Sequence, residues 1–131
     1  MPFKQKRLGD AELEIMQIIW TTEEPVSASW IHERLLASRS WPLPSVMTSL
    51  TRLVEKGYVR CDKAGRSNLY SALISEAAYR QTEGSSFLSR VFGNSLPNFV
   101  ASLYDAHALT QEDIDELRAY LDELEAKSRD D

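Results

Sequence analysis

The chain has 131 residues, 43% hydrophobic and 27% charged, with a net charge of −5. That length suits one ordinary domain or a small domain with an appendage, and the composition is that of a soluble globular protein. No stretch approaches the roughly 18 consecutive apolar residues of a membrane span, and a single cysteine, Cys61, excludes an intrachain disulfide or a thiolate cluster.

The opening residues, MPFKQKRLGDAELE, are basic but carry no apolar run of the secretory type. With one cysteine, the expected compartment is a reducing cytoplasm. A first helix is predicted from Asp10, taken as N-cap, to about Trp20, with Leu13, Met16, Ile19 and Trp20 on one stripe. Glu23-Glu24-Pro25 ends it. Ser27 then caps a second helix through about Ala37, with Trp30, Ile31, Leu35 and Leu36 turned inward. The stretch SRSWPLP reads as a loop, because residues before proline are pushed out of the helical region.

A third helix starts near Pro44, buries Val46, Leu50, Leu53 and Val54, and stops at Gly57. Two short strand-like runs follow, Tyr58 to Cys61 and Asn68 to Leu73, flanking a basic turn Lys63-Ala64-Gly65-Arg66. Three helices closed by a β-hairpin give the element order of a winged helix-turn-helix domain, expected over residues 1–74. Residues 75–131 are helical again. One helix opens at Ser75 and runs to about Phe92, Gly93-Asn94 breaks it, and a shorter one spans Leu96 to Tyr104. Thr110 and Asp113 resemble a capping box for a last helix. The expected fold is mainly α with a small β-hairpin wing.

Charge is divided along the chain. Residues 1–73 hold ten Lys/Arg against eight Asp/Glu, a net of +2, and residues 74–131 hold five against twelve, a net of −7. The third helix and wing therefore read as a DNA-facing surface in spite of the acidic total. Arg52, Lys56 and wing Arg66 would touch phosphates, together with neighbouring Ser67. Pro44, Met47 and the small residues Ser45, Thr48, Ser49 and Thr51 would lie against base edges or phosphates. The competing reading is a winged-helix protein-interaction module that does not bind DNA, supported by the acidic balance and the uncharged start of the third helix.

Three stretches, LGDAELEIMQIIW (8–20), TSLTRLVEKGYV (48–59) and GRSNLYSAL (65–73), resemble the BlaI/MecI/CopY penicillinase-repressor family, in order and in spacing. The resemblance runs from about Leu8 through Leu124. It implies a homodimeric repressor on an inverted-repeat operator, silencing β-lactamase, resistance or efflux genes, with the C-terminal helices as dimer interface. The interface residues would be Phe87, Val91, Phe99, Leu103, Ile114, Leu117, Leu121 and Leu124. Two such striped tails can cover each other about a twofold axis; in a monomer they would fold back on the winged helix. Related repressors typically place basic residues where Pro44 and Met47 stand, so a different operator is implied here.

In antibiotic-responsive members a sensor protease cuts an Asn-Phe bond in the dimerisation region, which makes such a protease an implied partner. Ungapped alignment of the Phe87–Phe92 run and of Leu109-Thr110-Gln111 puts that bond at Ser102-Leu103. Asn98-Phe99 lies four residues earlier, where Phe99 also reads as a core residue. The paired C-x-C motifs of copper-responsive members do not occur in this sequence. Cys61 reads as a small packing residue. His32 and His107 have no companions at metal spacing, no phosphate loop or nucleophile motif occurs, and neither cofactor nor catalytic residue is expected.

Overall fold

The structure, a computed structural model, describes residues 7–130. The lysines of the basic N-terminal start, Lys4 and Lys6, lie outside the described residues. Among the described residues the elements run α1 (Asp10–Ile19), α2 (Ala28–Leu35), α3 (Leu43–Glu55), β1 (Val59–Ala64), β2 (Ser67–Ala72), α4 (Glu76–Phe92), α5 (Leu96–Asp105) and α6 (Gln111–Asp130). The chain divides into two compact units, one up to Thr82 and one from Glu83. The division falls inside α4, and Tyr79 belongs to the core of the first unit.

In the first unit α1, α2 and α3 pack on one another and the hairpin closes against them. Ile15, Met16, Ile31, Leu35, Val46, Leu50, Leu53 and Val59 are fully buried. Truncating one of the leucines to alanine would cost about 2–5 kcal/mol. The Trp20 indole N–H donates to the Ile74 carbonyl at 2.9 Å, and the Trp20 and Tyr58 rings lie 5.6 and 6.1 Å from that of Tyr79. The first turn of α4 is thereby tied to the winged helix.

The local reasons for each boundary are visible, and several differ from the sequence reading. Gly9, not Asp10, is the N-cap of α1: its backbone is extended, and its N–H donates to Glu12 Oε1 at 2.8 Å. Asp10 is already helical, where its charge suits the helix N-terminus. Ile15, absent from the expected stripe, is buried, while Leu13 and Trp20 are half-buried. Ser27 does cap α2, accepting from the Trp30 N–H at 3.1 Å. The helix stops at Leu35, whose carbonyl takes the N–H of Arg39 at 2.8 Å, and this turn leaves Leu36 exposed.

Helix α3 begins at Leu43, and it ends in a double clasp. The Tyr58 N–H donates to the Leu53 carbonyl and the Gly57 N–H to that of Val54, with Gly57 at φ +85°. Glycine, lacking a Cβ, takes up that left-handed conformation most readily. Ser49 is buried, so it is removed from the DNA-facing set, and Val54, expected inside, is 37% exposed.

The strands extend further toward the tip than expected, pairing antiparallel from Val59↔Ala72 to Ala64↔Ser67 around a two-residue turn, Gly65-Arg66. Val26 adds a short third edge, exchanging both backbone hydrogen bonds with Tyr70 at 2.9 and 2.7 Å. Cys61 is exposed, which corrects the packing role expected of it: only Val59 of β1 is buried, because the wing projects beyond the core.

In the second unit Gly93 and Asn94 both adopt positive φ and end α4. Ser95 caps α5 and Thr110 caps α6, where Thr110 and Asp113 exchange side-chain and backbone bonds at 3.0 and 2.9 Å. The Thr110 backbone N–H above all, and then the Thr110 hydroxyl, hold the Asp113 carboxyl below its ordinary pKa.

Candidate nucleic-acid interface

Helical geometry sorts the residues of α3 into faces. Val46, Ser49, Leu50 and Leu53 point into the core, so Pro44, Thr48, Thr51 and Glu55 point directly away from it, and all four are exposed. Arg52 and Ser45 lie on one flank. Met47, 45% exposed, lies on the other, toward the wing. The first turn of α3 carries no acidic residue, whereas Glu55 sits in the last turn. The positive end of the helix dipole and the missing acid together make the N-terminal half the end that a polyanion can approach.

The threonine hydroxyls are partly committed. Thr48 Oγ1 donates to the Pro44 carbonyl at 3.0 Å and Thr51 Oγ1 to that of Met47 at 3.1 Å. With their protons turned back to the helix, both oxygens face outward as acceptors.

A groove of about 240 Å³ separates the N-terminal turns of α2 and α3 from the wing, and Ser27, Ser29, Met47, Arg66, Ser67 and Asn68 line it. Arg66 and Ser67 are thus brought beside Met47, as the element order implied. Ser29 and Asn68 were missed. The signal for Ser29 was present, since α2 opens with a serine cap and has no acid in its first turn.

The cations of α3 and the wing differ in how they are paired. Arg52, Lys63 and Arg66 are exposed and have no ion-pair partner among the described residues, whereas Arg60 pairs with Asp62 at 2.9 Å. Lys56 is different. Its Nζ lies 2.6 Å from Glu12 Oε1 and 3.2 Å from the Arg7 carbonyl, which it reaches as donor. Burial alone would raise the pKa of Glu12; the Gly9 N–H and the Lys56 ammonium, helped by Arg52, outweigh it and hold the carboxyl below its ordinary value.

The second unit offers a surface of another kind. None of its described residues is fully buried. Phe87, Val91, Leu117, Leu121 and Leu124 are exposed, while Phe99, Leu103 and Ile114 are half-buried. The rings of Phe87, Phe92 and Phe99 cluster at 5.2–5.9 Å. An apolar groove of about 640 Å³ runs along Leu96, Phe99, Leu103, Leu117 and Leu121. Ser102 and Leu103 lie inside α5 with their carbonyls accepting from Ala106 and Ala108, so this bond is no loop tip of the sort proteases nick readily. The Asn98–Phe99 bond lies in the same helix.

His32 Nε2 is 2.7 Å from the Trp41 carbonyl, and His107 stands at positive φ just after α5. No group of three or more His, Cys, Asp or Glu able to hold a metal ion occurs among the described residues. No helix among them is long and apolar enough to cross a membrane.

Comparison with known proteins matches residues 8–123 to the family described as penicillinase repressor. The penicillinase repressor of Bacillus licheniformis is 29% identical over 127 residues, covering 97% of this chain and 98% of that protein. The methicillin resistance regulatory protein MecI of Mammaliicoccus sciuri is 29% identical over 121 residues, covering 92% of this chain and 98% of that protein. Among solved structures, the DNA-binding domain of the repressor BlaI superposes with a TM-score of 0.52 at 32% identity, covering 58% of this chain and 92% of that domain. The chain belongs to the penicillinase repressor family.

Proposed function

We propose that the chain is a homodimeric, DNA-binding transcriptional repressor that sits on an inverted-repeat operator in the cytoplasm and controls β-lactamase, resistance or efflux genes. The observation that carries the reading is the face of the winged helix. Pro44, Ser45, Met47, Thr48 and Thr51 of α3 form an acid-free surface with the exposed cation Arg52 on one flank and wing Arg66 beyond Met47 on the other, and β1 of the wing carries the exposed Lys63. The names borne by its relatives support the same class of function. Residues 1–74 hold the DNA contacts and residues 75–131 pair the subunits, through Phe87, Val91, Phe99, Leu103, Ile114, Leu117, Leu121 and Leu124.

In this reading the outward face of α3 enters the major groove, and Ser67 and the groove beside the wing lie along a flanking phosphate backbone. Three phosphate-contacting cations per protomer make six per dimer, which corresponds to a slope of about −5 in log affinity against log salt, or roughly a thousandfold loss between 50 and 200 mM. Fluorescence anisotropy on the upstream region of the protein's own gene tests this. Binding that is flat in salt would overturn it.

The acidic total charge of −5 favours a second reading, a winged-helix module that binds protein and not DNA. No binding at low salt by a folded dimer would support that reading. A sensor protease that relieves repression at Ser102–Leu103 would first have to unwind α5.

A further inference from the structure

Resting on the DNA-binding reading, we infer that Glu12 and Lys56 form a positioning clamp that sets the pose of α3 in the groove, and that Lys56 is not a phosphate contact. Lys56 is the C-cap of α3 and Glu12 lies in the first turn of α1, 44 residues apart in sequence. Glu12 Oε1 accepts from Lys56 Nζ at 2.6 Å and from the Gly9 N–H at 2.8 Å, so one oxygen joins the end of α3 to the start of α1. Lys56 also donates to the Arg7 carbonyl, extending the strap to the chain before α1.

Both side chains are withdrawn from solvent, at 21% exposure for Lys56 and 11% for Glu12. Glu12 Oε2 is buried without a hydrogen-bond partner, and Lys56 is the only cation paired directly with this carboxylate among the described residues, the Gly9 N–H and the field of Arg52 adding to its stabilisation. A phosphate contact releases counterions because it neutralises an otherwise uncompensated cation. An ammonium already neutralised by a carboxylate has nothing to release. Arg52 stands one turn earlier on the same flank, is exposed, and makes no ion pair among the described residues, acting on Glu12 only through its field. The sequence shows two equivalent cations at i and i+4; the structure makes one a grip and the other a hinge pin.

The test is a salt series of operator and non-operator binding by the full-length protein, wild type against Lys56→Met, Lys56→Arg, Glu12→Gln and Arg66→Ala. Arg66→Ala should flatten the wild-type slope by about 2 for a dimer. Lys56→Met should leave the slope unchanged and weaken operator binding roughly three- to tenfold at every salt concentration, and Glu12→Gln, which releases the end of α3, should weaken operator binding as well. Non-operator binding, which needs no exact pose of α3, should stay as in wild type, and Lys56→Arg should restore operator affinity. A slope flattened by Lys56→Met, or operator binding by Glu12→Gln as tight as wild type or tighter, would overturn the clamp. Glu12→Gln is isosteric and decides the matter if Lys56→Met does not fold. A wild type that shows no salt-dependent binding would instead overturn the DNA reading itself.

Discussion

Leu121→Ala should weaken self-association about 50-fold. Leu121 is 53% exposed on α6 and borders the apolar groove of the second unit. Fully burying a leucine side chain contributes about 1.5–3 kcal/mol, so covering its exposed half is worth about 1.2 kcal/mol per protomer. A twofold interface uses the residue twice, giving about 2.4 kcal/mol, or about 50-fold in the dissociation constant. Alanine is the better helix former, so α6 itself is not weakened by the change. Sedimentation equilibrium of the full-length protein over a concentration series reads the constant directly. Leu73→Ala is the control, because Leu73 is 57% exposed but follows β2 in the winged helix. The reasoning is refuted if Leu121→Ala changes the constant by less than about twofold, or if Leu73→Ala shifts it equally.

Met47→Arg supplies a bidentate donor in place of a thioether on the flank of α3, and should add a preference for guanine of about 1–3 kcal/mol at one position of each half-site. Anisotropy against a panel of operator variants measures it, and an unchanged ranking would remove Met47 from the base-reading surface. The Glu12 carboxyl titrates below its ordinary value of 4.5 in the folded protein, so the unfolded chain takes up the proton first. Its contribution to stability is therefore complete above about pH 5 and is lost as pH falls through the folded pKa. Melting curves of wild type and Glu12→Gln between pH 6 and pH 3 should converge toward the acid end; a constant gap would contradict the pairing.

The helices and the wing were legible because local chemistry punctuates them. Ser27, Ser75 and Thr110 open helices, Gly57 and Gly93 close them, and Gly65 allows the wing to turn. Apolar residues at helical spacing pointed to most of the core, although Leu36 and Val54 show the limit: an error of about one residue in phase or length turns a side chain outward. The bridge between Val26 and Tyr70 joins positions 44 apart and has no periodic signature.

The candidate DNA surface divides the same way. Its residue types and its uncharged first turns belong to the sequence alone, as do the family and the division of charge between the halves. What the sequence could not decide is which side chains remain available. Ser49 and Thr48 are neighbours of similar chemistry, yet one is buried and the other exposed. Arg52 and Lys56 carry the same charge one turn apart, and only the packing of α1 against the end of α3 brings Glu12 to one of them. A residue's chemistry is a property of its own atoms, but whether its charge is free depends on what distant parts of the chain place within a few ångströms of it, and packing alone sets those distances.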